Sequence, residues 1–134
     1  MVALDTNVLI YACDSARPEG QKQASDLIER ATDGVLLWQV ACEFVAASRK
    51  LAGQGFTSSD AWTRLREFQD LFPVVTPTAD VLERARELHL SRGVSFWDAM
   101  ILSACVEAGV ETLYSEDVPG LALATPKVVN PFRP

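Results

Sequence analysis

The sequence is poor in the residues that build soft metal sites and disulfide frameworks: it has one histidine, His89, and three cysteines, Cys13, Cys42 and Cys105. An odd count, wide spacing and apolar neighbours read as reduced core thiols rather than a disulfide framework. A zinc site built from Cys and His needs about four such donors, and no CxxC occurs, so any bound metal must be held by oxygen. Long apolar runs are also missing. Val35 to Cys42 and Ala99 to Val106 are the longest, each contains a polar side chain, and both fall far short of the roughly 20 residues a membrane-spanning helix needs. The amino terminus enters its first apolar run without a basic region or a small-residue cleavage site, which gives a cytoplasmic location as the expectation. Seven Gly and seven Pro, with no Ser/Gly-rich or Gln/Asn-rich tract, exclude a linker-like, collagenous or disordered chain.

What is present is a 49% apolar, 22% charged chain of 134 residues, the arithmetic of one domain over residues 1–134. A chain of this length buries roughly two-thirds of its unfolded surface. The net charge of -6, from 18 acidic and 12 basic residues, argues at first against a nucleic-acid partner. That objection weakens where acids are cation ligands, because a bound divalent ion reverses the local sign. Arg17, Lys22, Arg49, Lys50, Arg64 and Arg66 then remain for a polyanion.

Met1 to Leu4 reads as a short buried strand, ended by the turn-forming cluster Asp5-Thr6-Asn7. Pro18 and Glu19 suit a helix start; Ala24, Leu27, Ile28 and Ala31 follow at helical spacing to a stop at Gly34. Val35 to Leu37 forms a second strand, followed by a helix with Val40, Phe44, Ala47 and Leu51 in period until Gly53, which carries Glu43. Ser58 caps a third helix through Trp62, Leu65 and Phe68, and Phe72 to Val75 is a strand whose Pro73 suggests an edge or an end. Thr78 caps the next helix, which stops at Gly93; Ser95 starts another that stops at Gly109. Thr112 to Tyr114 and Lys127 to Val129 complete the strands. Short strands alternating with helices argue for an α/β sandwich around a parallel sheet with right-handed crossovers.

Ligands of such sheets collect beyond the carboxyl ends of the strands. Asp5 and Asp117 fall there by position, and Glu43 and Asp98 sit near the starts of helices that can point back to the same rim. Singly, each acid has a structural explanation. Asp5 suits an Asx turn, Glu43 the edge of an amphipathic helix, Asp98 a capping box with Ser95, and Glu116 and Asp117 a solvated loop. Together they suggest an oxygen-only site for Mg²⁺ or Mn²⁺, since converging carboxylates repel unless a cation offsets them. One or two such cations support phosphodiester hydrolysis.

The stretch Ala3-Leu4-Asp5-Thr6-Asn7-Val8-Leu9-Ile10-Tyr11-Ala12 resembles the opening of PIN-domain nucleases, especially VapC-type toxins. Glu43 in its helix, Phe96-Trp97-Asp98-Ala99-Met100-Ile101, and Leu113-Tyr114-Ser115-Glu116-Asp117 resemble the family's later motifs in order and spacing. The resemblance implies a PIN-like three-layer α/β/α sandwich around a short parallel sheet of about four or five strands. It also implies an Mg²⁺- or Mn²⁺-dependent endoribonuclease in which Asp5, Glu43, Asp98 and Asp117 hold the metal. Thr6, Asn7 and Ser115 would orient these ligands, with Glu116 beside them, and the products would carry 5′-phosphate and 3′-hydroxyl ends. The same resemblance brings a homodimer and a cognate antitoxin over the acidic cleft. Arg17, Arg49 and Lys50 are the candidate RNA contacts, while Phe44, Phe56 and Trp62 read first as core and otherwise as apolar surface for the dimer or antitoxin interface. A haloacid-dehalogenase-like phosphatase fits poorly because its second Asp would fall at Asn7. His89, among Arg and Glu neighbours on a helix, gives no triad. The remaining alternative is a catalytically silent PIN-fold module that binds RNA or protein.

Overall fold

The computed structural model describes residues 1–120 and 124–133. Five short strands, β1 (Val2–Leu4), β2 (Gly34–Leu37), β3 (Val74–Val75), β4 (Thr112–Tyr114) and β5 (Lys127–Val129), form one sheet in the order β3-β2-β1-β4-β5. Every pairing is parallel, so all carboxyl ends share one edge. Helices α1 (Thr6–Cys13) and α2 (Pro18–Arg30) join β1 to β2, and α3 (Trp38–Ala47) and α4 (Ser58–Leu71) join β2 to β3. Helices α5 (Ala79–Arg92) and α6 (Phe96–Ala108) return the chain across the sheet to β4. Right-handed crossovers in opposite directions place α1 to α4 over one face and α5 and α6 over the other. This is the expected three-layer sandwich, with β3 the edge strand that Pro73 suggested.

β2 is buried along its whole length, and β1 is buried at Ala3 and Leu4. Near-continuous apolar strands follow from helices covering both faces. Phe44 of α3 meets Phe68 of α4 edge to face, with ring centres 5.3 Å apart, and both are fully buried. Gly34 is required where β2 begins, because a Cβ there would lie 2.6 Å from the Phe72 ring. Gly93 and Gly109 end α5 and α6 in the left-handed region, as their positions in the sequence predicted.

Several local expectations are corrected. Asp5-Thr6-Asn7 is no turn: Asp5 caps α1 directly, and the helix runs on through Cys13. Gly34 belongs to β2, and α2 has already ended at Arg30. α3 stops at Ala47, and the chain tightens into a 3₁₀ segment over Ser48–Gln54 before Gly55. Thr57, not Ser58, caps α4, in a reciprocal capping box with Asp60. Ser95 makes no side-chain cap for α6, so the capping box proposed for Asp98 does not form. Cys105 is buried in the core, whereas Cys42 is exposed and Cys13 half-buried. Phe44 is core and Phe56 packs partly against it, but Trp62 is exposed. Among the described residues, no helix is long and apolar enough to cross a membrane.

Candidate functional site

The site begins where β1 and β4 end side by side. Leu4 pairs with Tyr114, and the Asp5 N–H donates to the Tyr114 carbonyl at 2.9 Å, so Asp5 and Ser115 emerge together on the carboxyl rim. One Asp5 oxygen accepts from the Thr6 N–H at 2.7 Å, which is the cap of α1. The other accepts from the Ser115 hydroxyl at 2.7 Å. The Ser115 oxygen in turn accepts from the N–H groups of Asp117 at 3.1 Å and Val118 at 3.0 Å. With both lone pairs engaged, its single proton is directed at Asp5.

Asn7 ties the second strand-end acid to the first. Its Nδ2 lies 3.3 Å from Asp5 Oδ2 and 3.2 Å from Asp117 Oδ2, while its Oδ1 accepts from the Glu116 N–H at 3.2 Å. That last bond sets the amide's orientation and leaves the NH₂ group between two carboxylates. Burial, the main cause, and then the nearby charges of Glu43 and Asp117 push the Asp5 carboxyl above its ordinary value of 3.8. The bonds from Ser115 and Thr6 oppose that rise without cancelling it.

The helix-borne acids are held more loosely. Glu43 accepts from the Thr6 hydroxyl at 3.1 Å and from Gln39 Nε2 at 2.9 Å, one helical turn earlier on α3. The same Gln39 nitrogen lies 3.3 Å from the Trp97 carbonyl, which joins the start of α3 to the start of α6. Asp98, in the first turn of α6 and half-buried, takes no hydrogen bond from another residue among those described. The Glu116 side chain turns away from the acids and accepts from the Tyr11 hydroxyl at 3.1 Å. Only its backbone N–H serves the network, through Asn7.

All four acids line one open cleft of about 750 Å³, together with Thr6, Asn7 and Glu116. Arg17, Arg49 and Lys50 line it too, whereas Lys22 and Arg64 are engaged in ion pairs with Asp26 and Glu67. Arg17 is drawn toward Asp14, at 3.8 Å, and toward the Tyr11 hydroxyl, at 3.4 Å. Arg49 and Lys50 are exposed and form no ion pair among the described residues. Sequence reasoning did not single out Gln39, Tyr11 or Asp14; the four-residue spacing from Gln39 to Glu43 was the available signal for the first.

Among the described residues, no three His, Cys, Asp or Glu side chains approach closely enough to form a complete metal cage. The donors nevertheless fit a hard cation. They are carboxylate oxygens on rigid elements, one of them raised in pKa first by burial and then by its neighbours' charge, and Mg²⁺ is bound through one or two carboxylates while keeping several waters. Cys105, buried beneath Asp5, is no ligand: burial, and secondarily the Asp5 charge, pushes its thiol up to about 12.

An all-parallel α/β domain with carboxylates at its strand ends is thus the class that fold and site define. A family model for the PIN domain matches residues 2–118, and the chain belongs to that family. Two solved structures are similar in fold. One is described as a toxin-antitoxin complex from Klebsiella pneumoniae, with a TM-score of 0.72 and 21% identity over 98% of each chain. The other is VapC20 of Mycobacterium tuberculosis, described as a sarcin-ricin loop cleaving toxin, with a TM-score of 0.68 and 19% identity over 87% of this chain and 90% of that one. No curated protein is significantly similar in sequence.

Proposed function

We propose that this PIN-domain protein is a divalent-metal-dependent endoribonuclease and the toxin of a toxin–antitoxin pair. The observation that carries the reading is the convergence of Asp5, Glu43, Asp98 and Asp117 on one cleft that also presents Arg49 and Lys50. The descriptions of the two structural neighbours, one a cleaving toxin and one a toxin-antitoxin complex, support the same role.

The four carboxylates would hold Mg²⁺ or Mn²⁺. When bound, such a cation lowers the pKa of an attacking water and stabilises charge on the phosphate. Asn7 and Ser115 keep Asp5 and Asp117 in fixed rotamers, so ligand geometry is set before substrate arrives. Gln39 does the same for Glu43. Arg49 and Lys50, both on the cleft wall, neutralise phosphates neighbouring the one under attack. Water attacks phosphorus in line, the bond to the 3′ oxygen breaks, and the products carry 5′-phosphate and 3′-hydroxyl ends. No protein nucleophile takes part, in keeping with a Cys105 thiol that stays protonated at neutral pH. A homodimer and an antitoxin that covers the cleft, with an arginine on its carboxylates, complete the proposal.

The test is cleavage of end-labelled RNA by wild type and Asp98→Asn with Mg²⁺, Mn²⁺ or chelator. Metal-dependent cutting by wild type alone is the expected result. Metal binding without cutting of any RNA would instead support the silent binding module.

A further inference from the structure

Tyr11 lines the cleft and takes no part in the proposed reaction. Its ring is gripped by two other elements. Helix α2 comes so close at Gly20 that a Cβ there would stand 2.7 Å from the ring, so glycine leaves the room it needs. Phe132, in the turn after β5, packs against the same ring with centres 4.2 Å apart. That turn is closed by Asn130, whose side-chain oxygen accepts from the Phe132 N–H at 2.9 Å. It starts from the sheet edge next to the acids, where the Ser115 N–H donates to the Val129 carbonyl at 2.9 Å.

The hydroxyl of this braced ring is equally constrained. Its oxygen accepts from Arg17 Nη1 at 3.4 Å, and its proton goes to Glu116 Oε1 at 3.1 Å. Burial, then the bond to Glu116 and that group's charge, hold the hydroxyl above its ordinary value of 10.0, so it is a donor at neutral pH. Glu116 stands between Ser115, which donates to Asp5, and Asp117. Its own N–H holds the Asn7 amide between those two acids. Glu116 is thus anchored outward by its side chain and inward by its backbone, and a chain of contacts from Phe132 through Tyr11, Glu116 and Asn7 ends on two carboxylates.

We propose that Tyr11 is a positioning residue for the cation site: through Glu116 it fixes the segment Ser115 to Val118 and the Asn7 amide, and so sets the placing of Asp5 and Asp117. The inference rests on the reading of the acids as a cation site and adds to it a residue that supplies no ligand. Carboxylates held by a rigid support have little freedom left to lose when an ion arrives. Once the support is loosened, the same carboxylates must be ordered on binding, and affinity falls.

The experiment titrates the metal-free whole chain with Mn²⁺ alone, without RNA, and reads free Mn²⁺ by electron paramagnetic resonance. Tyr11→Phe keeps the packed ring and removes only the hydroxyl, and its melting temperature in chelator checks the fold. It is expected to weaken Mn²⁺ binding by about tenfold, the lower end of what losing a partner behind a ligand costs. Glu116→Ala should weaken binding by a similar factor, and the two changes together no further, because both act through one bond. Glu116→Gln, which keeps an accepting oxygen for the tyrosine, should recover most of the loss. Unchanged Mn²⁺ affinity in Tyr11→Phe would overturn the proposal, and with a lowered melting temperature it would reduce Tyr11 to a packing residue. Additive losses in the double variant would overturn it too, as would Glu116→Gln binding as weakly as Glu116→Ala, since the carboxylate would then be a ligand itself. Asp98→Asn separates the two readings. If it abolishes Mn²⁺ binding while Tyr11→Phe binds normally, the positioning role alone falls; if it binds Mn²⁺ as wild type does, the cation-site reading falls with it.

Discussion

The two halves of the cleft are built differently. On the strand side, Asp5 and Asp117 share a closed network with Ser115 and Asn7, and Asp5 is buried. On the helix side, Glu43 rests on Thr6 and Gln39 alone, and Asp98 has no partner among the described residues. The difference follows from backbone geometry. Strand ends bring N–H groups and short polar side chains from adjacent strands within reach of one carboxylate, whereas a helix points its side chains outward from a single element. The strand side therefore couples ligand position to folding, and the helix side leaves its carboxylates open to solvent and to a cation.

Alanine at one proposed ligand from each side tests this contrast most strongly. Asp5→Ala and Asp98→Ala should each lower cleavage by at least about a hundredfold, because each removes charge stabilisation used in the transition state. Only Asp5→Ala should also destabilise the fold, by about 1–3 kcal/mol in urea unfolding, since it removes the cap of α1 and strands the Ser115 hydroxyl. Equal stability losses would erase the distinction between the halves.

A smaller effect separates the supporting residues. Ser115→Ala should cost about 1–3 kcal/mol, because two N–H groups and a buried carboxylate oxygen lose a partner together. Gln39→Ala, on the half-exposed side, should cost less than about 1 kcal/mol while still lowering cleavage through a disordered Glu43.

Proton linkage sharpens the comparison further. Asp5 has a higher pKa folded than unfolded, so the metal-free fold binds more protons there. Its contribution favours the fold below the ordinary value of 3.8 and is lost as pH rises from there through the raised folded value. A divalent cation acts oppositely, since it requires the ionised carboxylate. The gap between melting temperatures in Mg²⁺ and in chelator should therefore widen as pH rises through that window, and should shrink in Asp5→Asn. A gap independent of pH would place the cation away from Asp5.

The smallest expected change is at the rim. Arg49→Ala and Lys50→Ala should leave melting temperature unaltered and reduce the salt slope of RNA binding by about 1 each. An unaltered slope would remove those contacts.

Much of this molecule was legible because local chemistry and tertiary structure agree. Gly93 and Gly109 stop their helices where the left-handed conformation requires them, Pro73 marks the edge strand, and the apolar period places Phe44 and Phe68 in the core. Asp5-Thr6-Asn7 was misread because turn-forming side chains also suit a helix cap, and only the continuing α1 decides between the two. Ser95 looked like a cap for the same reason, yet its side chain makes none. Trp62 and Cys42 followed an apolar pattern outward to solvent, since helical period identifies a stripe without saying how wide the covered face is.

The sequence by itself determined the order of the strands and of every helix but α1, the all-oxygen character expected of any metal site and the identity of the acids near the element ends. Residue type and short-range spacing suffice for those, because they depend on backbone preferences and donor chemistry. Only tertiary structure decided that Asn7 stands between Asp5 and Asp117 and that Glu116 turns to Tyr11. Those contacts link residues up to 110 positions apart, and sheet register, which brings Leu4 beside Tyr114, is what sets them.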